Sequence, residues 1–280
     1  MTETGYQEAM SLAKTHYENF PVVSLLVPAR LKKHIAIVYW FARTADDFSD
    51  EGNVSDNERL EKLDNFEARL ASIISGKTEN NLEAALSSTI NSKNLNPDNF
   101  FNLLKAFKQD VVKHRYQNFN EVLAYCSNSA NPVGRILLEL FGIRKENAIY
   151  FSDKICTALQ ITNFIQDTKI DYQKGRIYYP QDEMKQYQVE ENMFEMNRIN
   201  LNLKQLIEFS VNRIQGIFDE GKGLIEFLSG RFKYEIALTI NGGEEILRKI
   251  RGVDFDVLSK RQYLTRFDYM KLFLKSFIVH

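Results

Sequence analysis

The 280-residue chain is 44% hydrophobic and 26% charged, with 36 basic residues against 37 acidic ones. A formal charge of −1 excludes the global basic field that holds nucleic acid, so anion recognition must be local and the expected partners are small molecules. Cys126 and Cys156 have no CxxC or CxxH spacing, which excludes a disulfide framework and a cysteine zinc site and predicts a reducing, cytoplasmic setting.

The start, MTETGYQEAM, has neither the positive region nor the apolar stretch of a signal peptide. No uncharged apolar run reaches the ~18 residues of a membrane span, so the chain is not expected to cross a bilayer. Glycine (13) and proline (5) are sparse, and apolar residues repeat at three and four rather than two. This predicts an all-α protein, a single helical domain over 1–280. Pro21 and Pro28 bracket a connector, and a long, largely buried helix follows over 31–49, its apolar surface interrupted by Lys32, Lys33 and Arg43. Further helices are predicted at about 55–75, 80–91, 97–114, 119–142, 146–171, 180–187, 198–229, 231–251 and 263–278. Asn96-Pro97 is a start signal, Gly142 and Gly175 are stops, and Ser75 to Asn81 reads as an exposed turn.

The first long helix ends in ARTADDFSDEG (Ala42 to Gly52), where acids crowd within six positions. Two carboxylates on adjacent helical turns repel by about 2 to 3 kcal/mol at an effective dielectric of ~20, so the stretch is either a solvated helix end or the seat of a cation. A second acidic site, NFIQDTKIDYQKGRIYYP (Asn163 to Pro180), places Asp167 and Asp171 four apart, as Asp46 and Asp50 are. Each pair is predicted to project from one helical face. Read alone, each fits a solvated helix end as well as a metal site. Their duplication beside apolar helices, with Arg43 three before Asp46 and Arg176 five after Asp171, favours a metal-diphosphate site in which arginine neutralises phosphate and carboxylates hold Mg²⁺.

These residues resemble the squalene/phytoene synthase family of head-to-head prenyl synthases over about His16 to Leu274. YWFARTADDFSDEG is similar to its first aspartate-rich motif, NFIQDTKIDYQKGRIYYP to its second, and YCSNSANPVG (Tyr125 to Gly134) to the segment between them. The resemblance implies the isoprenoid synthase fold, a helical domain around a central cavity, and two or three Mg²⁺ ions as cofactor. It implies Asp46 and Asp50, supported by Asp47, as ligands of one magnesium group, and Asn163, Asp167 and Asp171 as ligands of another. Arg43 and Arg176 would meet diphosphate, Tyr39 and Gln160 would line the substrate site, and His16, Tyr17, Glu18 and Asn19 match an N-terminal diphosphate-contacting segment. Tyr125 matches a tyrosine near the reacting carbons. Without the resemblance, Tyr39 and Tyr125 read as core aromatics, Asn163 as a satisfied buried amide and His16 as a surface histidine.

Two departures narrow the function. Gln166 stands where many members carry arginine, and Gly243 where carotenoid-forming members tend to carry tyrosine. With ENFPVVSLLVP, SANPVGR, NFIQD and the glycine pair before ILRKI, the chain looks most like the hydroxysqualene synthase branch. That branch ionises presqualene diphosphate and traps the rearranged cation with water, without NADPH. The alternatives are condensation of two farnesyl diphosphates to presqualene diphosphate, squalene or dehydrosqualene, and a non-catalytic helical assembly or binding protein, against which the retained aspartates argue. An unrelated helical phosphohydrolase is disfavoured because no histidine lies near either acidic pair. A C30 product is nearly insoluble, so peripheral contact with the inner face of the membrane, or with the enzyme that supplies presqualene diphosphate, is expected. The apolar tail YMKLFLKSFIVH (Tyr269 to His280) could serve it, although a terminal helix packed on the domain is the preferred reading of that tail.

Overall fold

The computed structural model describes residues 1–15, 26–52, 54–196 and 199–276, and among these every regular element is a helix. In chain order they are α1 (Thr2–Thr15), α2 (Ala29–Asp50), α3 (Asp56–Ile74), α4 (Asn81–Lys93), α5 (Asp98–Val112), α6 (Phe119–Ser129), α7 (Asn131–Leu140), α8 (Glu146–Gln166), α9 (Thr168–Gln173), α10 (Gln181–Gln186), α11 (Leu201–Gly221), α12 (Gly230–Gly252) and α13 (Arg266–Ser276). Short 3-10 turns cover Glu191–Glu195 and Lys222–Phe227. Among the described residues no helix is long and apolar enough to cross a membrane.

The chain divides into two compact units, Met1–Val112 with Pro132–Lys145, and Lys113–Asn131 with Glu146–His280. In the first, α2 is the central element: Ile35, Ala36, Ile37, Phe41 and Ala45 have no exposed surface, and α1, α3, α4 and α5 all pack on it. Phe41 stacks on Phe66 of α3 and meets Phe100 of α5 edge-on, which fixes the rotation of α2 and hence the direction of its last turn. The Ser55–Glu58 capping box starts α3 directly beyond that turn. In the second unit α8 is central and packs on α6, α11 and α12.

Three predicted helices are divided, and one helix is additional to the sequence expectation. The region 119–142 is two helices, because Pro132 cannot donate a backbone hydrogen bond across the join at Ala130. The region 146–171 breaks at Asp167 (φ −101°, ψ 10°), where the Thr168 hydroxyl donates to the Ile165 carbonyl at 2.7 Å. The region 198–229 tightens into a 3-10 turn after Gly221. Helix α1 lies outside the predicted helices; its stripe of Tyr6, Ala9, Met10 and Ala13 has helical spacing but is half alanine, a weak signal. Gly142 and Gly175 do stop helices, at φ 77° and 80°.

Candidate active site

The last two turns of α2 carry the first acidic motif. Asp46, Asp47 and Asp50 are half-buried, and Arg43 sits among them. Its guanidinium lies 3.5 Å from Asp46 Oδ2, 2.7 Å from Asp47 Oδ1 and 2.6 Å from Glu51 Oε1. Burial pulls the arginine pKa down, but Asp47, Asp46 and Glu51 outweigh it and hold the guanidinium above its ordinary value. One cation therefore already offsets the crowding that the sequence poses as a puzzle. Arg59 of α3, which the sequence reading missed, donates to the carbonyls of Ser49 (2.7 Å), Glu51 (3.2 Å) and Gly52 (2.8 Å). It satisfies carbonyls at the end of α2 with a positive group where the helix dipole is negative, and so fixes the acidic turn. Tyr39, one turn before Arg43, is buried.

In the second unit the N–H of Asp167 donates to the Asn163 carbonyl and that of Asp171 to the Asp167 carbonyl, both at 2.8 Å. The helical ladder thus continues through the break at Asp167, and Asn163, Asp167 and Asp171 follow one another at four-residue steps along one side. Asn163 is exposed while Ile161, Thr162, Phe164, Ile165 and Gln166 around it are buried, so the buried-amide reading of Asn163 is corrected. The N–H of Arg176 donates to the Asp171 carbonyl at 2.8 Å. Asp171 and Arg176 line a small crevice with Phe164, Thr168, Tyr178 and Phe194. Gln160, one turn before Asn163 and Phe164, is partly exposed.

Tyr125 of α6 is 4% exposed and lies in an aromatic cluster: its ring centroid is 5.9 Å from Tyr116, 5.9 Å from Phe164 and 6.0 Å from Tyr178, and Phe164 and Tyr178 stack at 3.6 Å. The Tyr178-Tyr179 tail is tied to the motif by the Tyr179 hydroxyl, 2.8 Å from Thr168 Oγ1, and burial holds the Tyr179 phenol well above its usual pKa. Asn131, in the segment between the motifs, accepts from Thr157 of α8 at 3.0 Å.

Two contacts on the second motif had no sequence signal. Arg261 donates to both oxygens of Asp167, and the Gln166 amide donates to the Gln262 carbonyl, so the segment before α13 rests on the motif. Gln166 therefore supplies a neutral contact where the family pattern has a cation. The predicted residues His16, Tyr17, Glu18 and Asn19 lie outside the described residues.

The donor set fits Mg²⁺. It is all oxygen, and a guanidinium already pairs with Asp46 and Asp47 in one motif and with Asp167 in the other. Among the described residues no three acidic, histidine or cysteine side chains converge to enclose an ion. Mg²⁺ does not ask for such a cage, since it keeps waters and takes one or two carboxylates with substrate phosphate oxygens.

The helical fold and its family place the chain among prenyl diphosphate enzymes of the head-to-head kind. The sequence profile of the squalene/phytoene synthase family matches residues 13–268, and the chain belongs to that family. It is 31% identical over 261 residues to a hydroxysqualene synthase of Rhodopseudomonas palustris, covering 92% of this chain and 87% of that protein. It is 30% identical over 242 residues to one of Sinorhizobium fredii, covering 85% and 80%. Among solved structures it is similar to the squalene synthase HpnC of Alicyclobacillus acidocaldarius, with 35% identity, a TM-score of 0.85 and coverage of 90% and 95%. A dehydrosqualene synthase in complex with ligand superposes with a TM-score of 0.88 at 21% identity, covering 99% and 96%, which bears on the fold alone. The all-α expectation and the isoprenoid synthase fold hold.

Proposed function

We propose that the chain converts presqualene diphosphate and water to hydroxysqualene and diphosphate. The observation that carries this reading is the pair of relatives named hydroxysqualene synthase, at 30% and 31% identity over most of both chains. Gly243 supports it. A Cβ there would lie 2.5 Å from Phe218 Cζ and 2.9 Å from Leu159 Cδ2, so the site has no room for the tyrosine that carotenoid-forming members tend to carry.

In this reading Asp46, Asp47, Asp50, Asn163, Asp167 and Asp171 hold Mg²⁺, which when bound neutralises charge on the departing diphosphate. Arg43 and Arg176 bind diphosphate oxygens and stabilise the charge that grows on the leaving oxygen. Tyr39 and Gln160 orient the substrate, and His16, Tyr17, Glu18 and Asn19 add contacts to its diphosphate. The carbocation left behind needs surroundings that stabilise positive charge without attacking it. The aromatic cluster of Phe164, Tyr178 and Tyr125 is the group proposed to supply that, Phe164 and Tyr178 lining the crevice with Asp171 and Arg176, and water closes the reaction at carbon. No hydride donor is required, and the cytoplasm is the proposed setting.

Similarity to a structure named squalene synthase favours a second reading, reductive condensation of two farnesyl diphosphates. The test is incubation of the protein and Mg²⁺ with presqualene diphosphate or farnesyl diphosphate, with and without NADPH, followed by identification of the lipid product. Hydroxysqualene from presqualene diphosphate without NADPH is expected. Product from farnesyl diphosphate alone, or a strict need for NADPH, overturns the reading.

A further inference from the structure

Helix α13 turns outward what a soluble helix ordinarily buries. Phe267 is 71% exposed, Met270 63% and Leu274 67%, and their spacing of three and four residues puts them on one stripe of the helix. Tyr269 and Phe273 are exposed beside the stripe, and Tyr263 on the approach to it. Over 266–274 only Asp268 and Leu272 are buried.

This face does not belong to a loose end. The Thr265 N–H donates to Asp268 Oδ2 at 2.7 Å and the Asp268 N–H to Thr265 Oγ1 at 3.2 Å, a reciprocal cap that starts the helix. Lys249 of α12 pairs with Asp268 at 2.6 Å. Within 257–274 Asp268 is the sole acid, against Lys260, Arg261, Arg266 and Lys271, and Glu245 of the neighbouring α12, which acts on Lys271, is buried and paired with Arg248 at 2.5 Å. Arg261 is engaged with Asp167, whereas Lys260, Arg266 and Lys271 are exposed around the apolar stripe.

An apolar stripe flanked by the exposed cations Lys260, Arg266 and Lys271 complements one kind of surface. We propose that α13 docks the protein on an anionic lipid bilayer, with Phe267, Met270 and Leu274 at the acyl boundary and Lys260, Arg266 and Lys271 among the headgroups. A second copy of the chain is the poorer occupant, because a two-fold interface would set one basic rim against another. The inference rests on the exposure and charge of this helix and is independent of which product the enzyme forms.

The test is co-sedimentation of the full chain with vesicles of phosphatidylcholine alone or with phosphatidylglycerol added. Binding to the anionic vesicles is expected to exceed binding to the neutral ones by about fivefold or more and to weaken in high salt. The triple variant Phe267→Ser/Met270→Ser/Leu274→Ser should lose about fivefold of that binding with an unchanged melting temperature, because these side chains meet solvent. Should the triple variant fail to fold, Met270→Trp replaces it: its fluorescence should shift to the blue on anionic vesicles. Absence of binding by the unaltered chain, undiminished binding by the triple variant, or no blue shift overturns the proposal. So does a dimer in solution that the serine variant dissolves while vesicles are ignored.

Discussion

Arg261 embraces Asp167: its Nε donates to Oδ1 and its Nη2 to Oδ2 at 3.2 Å, across 94 residues of sequence. A carboxylate proposed to hold magnesium is thus already occupied by a guanidinium. Metal must displace this arginine or share the carboxylate with it, and the competition sets a sign. Arg261→Gln should tighten Mn²⁺ or Mg²⁺ binding without substrate by about threefold or more, read by calorimetric titration. In EDTA the same variant should melt within a few degrees of the parent, because a partly exposed pair contributes only ~0–1 kcal/mol. Weaker metal binding would mean that Arg261 organises the site rather than competing for it.

At the first motif, Asp46→Asn separates the metal reading from the solvated-helix reading. Arg43 keeps Asp47 at 2.7 Å and Glu51 at 2.6 Å after Asp46, its most distant partner at 3.5 Å, is neutralised. Removing one of several crowded negative charges should therefore leave the metal-free melting temperature equal or slightly raised. Turnover of presqualene diphosphate should fall about a hundredfold or more. A destabilised but active variant would return Asp46 to the role of a solvated helix end.

Both motifs were legible because acids four apart beside apolar helices conflict with the usual burial pattern, and the conflict recurs at Asp46/Asp50 and Asp167/Asp171. The helical class was legible from periodicity. What escaped depends on distance or on local competition. Arg261 and Arg59 look like ordinary surface arginines until folding sets them against Asp167 and against the carbonyls that end α2. The break at Asp167 comes from a threonine hydroxyl bonding backward, which periodicity does not register. Gln166 and Gly243 could be noticed as departures, but their partners, the Gln262 carbonyl and the Phe218 ring, lie 96 and 25 positions away.

Gly243 yields a packing prediction. In a helix, Gly→Ala ordinarily gains about 1 kcal/mol from backbone propensity. Here the new methyl would lie 2.5 Å from Phe218 Cζ and 2.9 Å from Leu159 Cδ2, and overpacking of this kind costs about 1–3 kcal/mol. Because Phe218 has no exposed surface and little room to retreat, the clash should win. Gly243→Ala is expected to lower the urea unfolding midpoint by an amount equivalent to about 1 kcal/mol. Phe218→Leu in the same chain should recover part of that loss, giving a less than additive double variant.

His34 makes stability depend on pH. Its Nδ1 lies 2.9 Å from Thr89 Oγ1, which also meets the Tyr6 hydroxyl at 2.9 Å, joining α1, α2 and α4 in a buried polar knot. Burial first, then Lys93 and Lys33, lower the histidine pKa from 6.5 to about 4. Above pH 6.5 the ring is neutral folded or unfolded and contributes no pH dependence. Between 6.5 and 4 the unfolded chain takes up a proton that the folded chain refuses, so stability falls as pH falls, and below 4 both states are charged and the loss is complete. The full loss is at most about 3 kcal/mol, and about 1 kcal/mol of it should be visible at pH 5.5 relative to pH 7. Urea midpoints at those two pH values measure it. His34→Gln, which cannot titrate, should flatten the difference even if it lowers both midpoints; an unchanged pH dependence in that variant would assign the loss to other groups.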